Sequence, residues 1–182
     1  MPGLPLGAAQ QHPIPAQALI YEAISGIEFI EVNDDLPYPR SVAYRPTDTG
    51  AEMRVRDNAP DLCELALSAD QARAYIASLV DAGLFSWQRV YRPAQGTFVL
   101  NATRWRLEVR FADVPGAKRV KPFKVEGENV FPDDYEAVLA ALMQPAADEL
   151  AALSKGLAAE DPDLPADVLD APGAPHAAEP EA

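Results

Sequence analysis

The stretch Thr103-Arg-Trp-Arg-Leu-Glu-Val-Arg-Phe111 sets Trp105, Leu107, Val109 and Phe111 on one parity and Arg104, Arg106, Glu108 and Arg110 on the other. A period of two is the pattern of a strand with one buried face and one wet face. An aromatic at each end of the apolar side suits a strand within a large core rather than one at an edge. The polar side carries Arg104, Arg106 and Arg110 in steps of about 7 Å, with Glu108 between them. Helices must cover the apolar side, and two helix-like segments flank the stretch in sequence.

The first begins at Ser68-Ala-Asp-Gln71. Ser68 can accept from the backbone of the first turn and Gln71 can reach back, which makes a capping box. Tyr75, Ile76, Leu79 and Val80 follow at helical spacing, and Gly83 stands where a left-handed residue ends a helix. The second opens at Phe131-Pro-Asp-Asp134, with Pro132 preset for the first turn and Asp133 and Asp134 near the positive end of the dipole. Tyr135, Val138, Leu139 and Leu142 then form one apolar stripe, and Pro145 stops or kinks it.

Strand patterns fill the remainder. Ile27-Glu-Phe-Ile-Glu-Val32 reads as a first strand and Ser41–Tyr44 as a second. Glu52–Arg56 is its hairpin partner across Thr47-Asp-Thr-Gly50, and Leu62–Leu67 follows the turn at Asn58-Ala-Pro-Asp61. Leu84–Tyr91 carries large apolar and aromatic side chains, and Phe98–Leu100 leads into the central strand. Val114-Pro-Gly116 turns the chain into Lys118–Val125, where Pro122 points to an edge strand or a bulge. Gly127-Glu-Asn129 reads as a turn, because Gly and Asn tolerate positive φ. The order of elements is that of an α+β domain, with an antiparallel sheet of about five to six strands and two helices packed on one face.

A chain of 182 residues suits one domain with tails. Residues 1–20 read as a disordered arm and 24–143 as the domain. Residues 146–158 read as a weak third helix, and 159–182 as a disordered acidic tail rich in Pro and Ala. The net charge of −13 is unevenly spread. Residues 1–37 hold five acids and no base, residues 38–124 hold 14 bases and nine acids, and residues 125–182 hold 14 acids beside Lys155 alone. No apolar run of about 18 residues is present, so no membrane span is expected. The opening residues lack the basic region of a secretory signal, and the single Cys63 cannot form an internal disulfide; both point to a reducing cytoplasm.

The combination of Leu67-Ser68, Ala82-Gly83-Leu84, Trp87, Tyr91-Arg-Pro93, Trp105-Arg-Leu-Glu-Val-Arg-Phe111 and Gly127-Glu-Asn-Val-Phe-Pro132 resembles a family of small bacterial α+β domains. The likeness runs from Gly26 to Met143. Some members of that family are lipoproteins, and the family has no established activity, so the resemblance implies a fold and carries no functional residue onto this chain. The stretch after Phe111 is longer than the family's, and the acidic Pro-rich tail is extra. No lipobox cysteine stands near the start, so the lipoprotein property does not transfer.

Much chemistry is excluded by what is missing. His12 and His176 both fall in the end segments, which leaves Ser-His-Asp and Cys-His constellations without a base. Cys63 lacks the companions of a zinc site and reads as a small buried apolar residue. No glycine-rich phosphate loop is present. Asp161, Asp163 and Asp167 lack the glycine and terminal glutamate of a calcium loop. Trp87, Tyr91 and Trp105 read as core anchors rather than a ligand groove. The chain is therefore expected to use no cofactor and no metal, and not to be an enzyme.

Arg104, Arg106 and Arg110, joined by Lys118, Arg119, Lys121 and Lys124, remain as a candidate binding surface for a partner or an anion. On one reading they hold nucleic acid or phosphate. On the other they are long side chains over a wet sheet face, paired across strands with acids such as Glu108, Glu52 or Glu64. Overall acidity and the lack of a stacking aromatic on that face favour the second. The expected function is a non-enzymatic protein-interaction or regulatory module, one form being an immunity-type binder of a basic toxin. An anion- or nucleic-acid-binding domain is the alternative.

Overall fold

A computed structural model describes residues 23–97, 101–113 and 119–160, with side chains of the last helix as far as Leu153. The strands are β1 (Ile24–Asn33), β2 (Arg40–Thr47), β3 (Gly50–Asp57), β4 (Cys63–Ser68), β5 (Val90–Tyr91), β6 (Thr103–Phe111) and β7 (Phe123–Glu128). They form one seven-stranded sheet in the order β4-β3-β2-β1-β6-β7-β5. Helices α1 (Ala69–Asp81) and α2 (Tyr135–Met143) follow β4 and β7, and a turn of 3-10 helix at Gln144–Ala146 leads into α3 (Ala147–Glu160).

The architecture is α+β as the sequence implies, but the sheet is mixed and larger than expected. Every neighbouring pair is antiparallel except β5 and β7, which run parallel. The difference lies in β5. Two residues are too few to show a period, and β5 joins the sheet beyond β7 rather than beside the next strand in the chain. As a result β7 is interior, not an edge. It starts at Phe123, so Pro122, which has no N–H to give, sits just ahead of the ladder. Phe98–Leu100, the turn at Val114-Pro-Gly116, the arm at 1–20 and residues 161–182 of the acidic tail lie outside the described residues.

Register explains where the core sits. Ile27 stands between Tyr44 and Val109, and Phe29 between Val42 and Leu107, while Leu107 and Val109 meet Val125 and Phe123 on the other side. Each is buried, so the strands present one continuous apolar face. A one-residue slip would turn all of them to water. On this face lie Tyr75, Ile76 and Leu79 of α1 and Tyr135, Val138 and Leu142 of α2, in one cluster. Burying each such side chain contributes about 1.5–3 kcal/mol.

The local signals act as the sequence suggests at α1 and differently at α2. Gln71 N–H donates to Ser68 Oγ at 3.3 Å and Ser68 N–H to Gln71 Oε1 at 2.9 Å, which closes the capping box. Gly83 follows α1 at φ 95°. Helix α2, however, starts at Tyr135 and not at Phe131, since residues 132–135 form a turn in which Tyr135 N–H donates to Pro132 O. Asp134 is not a side-chain cap. Its carboxylate accepts from Trp87 Nε1 at 2.6 Å and from Ser86 Oγ at 3.1 Å, tying the segment after α1 to the start of α2. Gly127 likewise does not serve a turn. It lies within β7, and Asn129 carries the positive φ of 53°.

Candidate interaction surface

Among the described residues no helix covers the second face of the sheet. Side chains of even number in β6 and their cross-strand neighbours form it. One row across it reads Arg56, Ser41, Ile30, Arg106 and Glu126, on β3, β2, β1, β6 and β7 in turn. The next reads Glu64, Arg54, Ala43, Glu28, Glu108 and Lys124, from β4 to β7.

The structure brings together part of the predicted basic set. Arg104, Arg106, Arg110 and Lys124 share this face. Arg119 and Lys121 lie in the approach to β7, before its first residue, and Arg119 pairs with Asp113 at 3.3 Å. Lys118 lies outside the described residues. On the face itself, Arg104 pairs with Asp34 at 2.6 Å, Arg110 with Glu28, and Lys124 with Glu108 at 2.9 Å. Arg54 pairs with Glu64 and Arg92 with Glu126. Exposed pairs of this kind contribute about 0–1 kcal/mol each to stability. Their main effect here is to neutralise the arginines in place.

Arg106 differs. It is exposed and has no ion-pair or hydrogen-bond partner among the described residues, because Ile30 stands beside it on β1 and Glu126 on β7 is turned to Arg92. Arg106 and Ile30 also form the shared wall of two depressions. One, of about 370 Å³, continues over Val32, Arg104 and Glu128. The other, of about 290 Å³, is lined also by Glu28, Ser41, Ala43, Arg54 and Leu62. Leu62 and Val32 are 41% and 38% exposed.

No family model, no curated protein and no solved structure matches this chain.

A second polar constellation, missed by the sequence reading, lies on the helix face. Glu31, Arg40 and Asp57 continue the buried parities of β1, β2 and β3 and stand side by side at one end of the sheet. Arg40 bridges the two acids, with Nη1 3.0 Å from Glu31 and Nε 2.6 Å from Asp57. Tyr135 of α2 donates its hydroxyl to the other oxygen of Glu31. Burial alone would lower the Arg40 pKa, but Asp57 and Glu31 outweigh it and hold the pKa above its ordinary value. Burial, and then donation to Glu31, push the Tyr135 phenol well up. A neutral tyrosine, a buried carboxylate and a permanent cation make a satisfied network that fastens α2 to the sheet. The phase of Ile27, Phe29 and Glu31 already placed that carboxylate inward.

Three other residues singled out in the sequence, Trp87, Trp105 and Cys63, lie in the core. Trp87 and Trp105 are buried and pack edge to face, with ring centroids 5.4 Å apart. Cys63 is buried on the apolar face, its thiol donating to Glu149 Oε2 of α3 at 2.9 Å. Burial, the bond to Glu149 and that residue's charge push the thiol pKa up to about 11, the opposite of nucleophilic activation. Among the described residues no helix is long and apolar enough to cross a membrane.

Proposed function

We propose that this chain is a non-enzymatic protein-interaction module, a small bacterial α+β domain of the cytoplasm whose partner seats on the open sheet face around Arg106 and Ile30. One observation carries the reading. Among the described residues Arg106 is exposed and unpaired between two depressions, whereas its neighbours Arg104 and Arg110 are neutralised in place. A free guanidinium offers a planar fork for a carboxylate. Ile30, Val32, Ala43 and Leu62 surround it with apolar surface, and arginine amid apolar side chains is the composition of an interface centre.

A protein fits this face better than a polyanion. Glu28, Glu108, Glu126 and Glu128 are interleaved with the basic side chains, so a phosphate backbone would meet repulsion at every second position. The test compares what co-purifies with the tagged chain and with its Arg106→Glu, Ile30→Asp and Arg119→Glu variants, expressed in the source cells. A protein lost with the first two and kept with the third is the partner. Identical sets in all four samples would remove the reading, and salt-dependent heparin binding lost in Arg106→Glu would replace it with the anion-binding one.

A further inference from the structure

We infer that the outer edge of β4 pairs with the same edge of a second copy of this chain, antiparallel and with Leu65 opposite the partner's Leu65, so that two sheets join into one. The inference concerns the end of the sheet and does not depend on the reading of its open face. Strand β4 is terminal in the sheet, and its register with β3 runs unbroken from Gly50 and Ser68 to Val55 and Cys63. The opposite end is β5, two residues long and followed within two positions by Pro93, which has no N–H to offer. By contrast β4 has six residues, no proline and no lysine, and so lacks the devices that keep an edge from pairing.

The ladder fixes which backbone groups face outward. Strands β2 and β3 meet in the two-residue turn Asp48-Thr49, closed by Thr47 and Gly50, so Gly50, Glu52 and Arg54 bond back to β2. Ala51, Met53 and Val55 therefore bond to Leu67, Leu65 and Cys63 of β4. That leaves the N–H and C=O of Glu64 and Ala66 pointing off the sheet, with no backbone partner among the described residues. Ser68 N–H, of the same parity, is taken by Gln71 Oε1. Two donors and two acceptors in a row ask for an extended strand. The chain itself supplies one that fits. With Leu65 opposite the partner's Leu65, Glu64 meets the partner's Ala66 in both halves of a two-fold contact. All four outward groups of each protomer then bond, and the capping box stays intact. The half-buried Leu65 packs on its own copy, and Leu67 meets the partner's Cys63. No charge stands opposite a like charge, and Glu64 is already paired with Arg54 at 2.9 Å. The register one step away, Ala66 on Ala66, would need the N–H of Ser68.

Sedimentation of the full chain from micromolar to millimolar concentration should show the mass rising from one chain to two. Ala66→Pro removes an outward N–H and no bond to β3, so it should hold the mass of one chain throughout. Ala66→Glu sets a carboxylate opposite the partner's Glu64 twice over and should raise Kd roughly tenfold, whereas Ala66→Lys sets an ammonium there and should not raise it. Urea melts check that each variant keeps its fold. Hydrogen exchange needs no variant: the amides of Glu64 and Ala66 should slow as concentration rises, while those of Leu65 and Leu67 stay protected throughout. The mass of one chain at every concentration would overturn the inference, as would exchange at Glu64 and Ala66 that ignores concentration. A dimer that Ala66→Glu leaves as tight as wild type would place the contact elsewhere and overturn it too. Equal weakening by Ala66→Glu and Ala66→Lys would overturn the register, since that is the result when Ala66 faces its own copy.

Discussion

The Tyr135 hydroxyl donates to the Glu31 carboxylate and so joins α2 to β1 across 104 positions of the chain. Glu31 is only 9% exposed, and Arg40 occupies its other oxygen, so the phenol supplies the donor that water would otherwise provide. Tyr135→Phe keeps the ring among Trp87, Trp105 and Phe131 and removes only the hydroxyl. Leaving a buried carboxylate short of a donor costs about 1–3 kcal/mol. Urea melts of the variant should show that loss with an unchanged slope; a wild-type midpoint would mean that water replaces the hydroxyl at no cost.

Burial of Tyr135 and Tyr75 sets an alkaline limit. The folded pKa values of Tyr135 and Tyr75 both lie above their ordinary value, chiefly through burial. Below about pH 10 both states hold these protons, so stability does not change on their account. Above it the unfolded chain releases protons that the folded chain keeps, and stability falls as pH rises. Urea midpoints should therefore decline beyond about pH 10, and Tyr135→Phe should decline less steeply than wild type. Parallel curves would show that Tyr135 does not carry the effect.

Cys63 gives a separate readout. With the thiol raised to about 11 from 9.0, its thiolate fraction near neutral pH falls about a hundredfold. Reaction with a disulfide reagent should be slower than in the urea-unfolded chain by at least that factor. Glu149→Gln should recover a part of it, because the charge of Glu149 adds to burial in raising the pKa. Equal rates in folded and unfolded chain would mean that α3 does not cover the thiol.

The elements with a strong period or a complete capping signal were legible in the sequence. The alternation in Thr103–Phe111 placed Trp105, Leu107 and Val109 inward, and Ser68 with Gln71 fixed the start of α1. What was not legible depends on register, which no single strand encodes. Arg104, Arg106 and Arg110 look equivalent in sequence, yet one meets Asp34, one meets Glu28 and one meets Ile30. Among the described residues, the difference between a neutralised arginine and an unpaired one is set by which position of β1, or of the turn just after it, lies alongside. The two-residue β5 carried no period at all, and its parallel pairing with β7 made a sheet of mixed sense. Glu31 was readable in hindsight from its parity, whereas its partners Arg40 and Asp57 come from two other strands.

Trp105 and Gly127 supply the sharpest test of the packing. They are cross-strand neighbours, and the indole lies over the glycine so closely that a Cβ there would stand 2.2 Å from Trp105 Cε2. The indole nitrogen donates to Val130 O at 3.1 Å, which holds the ring in place. Trp105→Ala removes a large buried aromatic and should cost about 3–5 kcal/mol. Gly127→Ala in the wild-type background forces the ring or the strand to move and should cost about 1–3 kcal/mol. In the Trp105→Ala background the new methyl meets vacated space, and its backbone φ is not in the left-handed region, so the same change should cost little. The double-mutant cycle should thus show a coupling of about 1–3 kcal/mol, with the double variant less damaged than the sum of the two. Additive losses in urea melts would mean that the strand, not the indole, excludes a side chain at position 127.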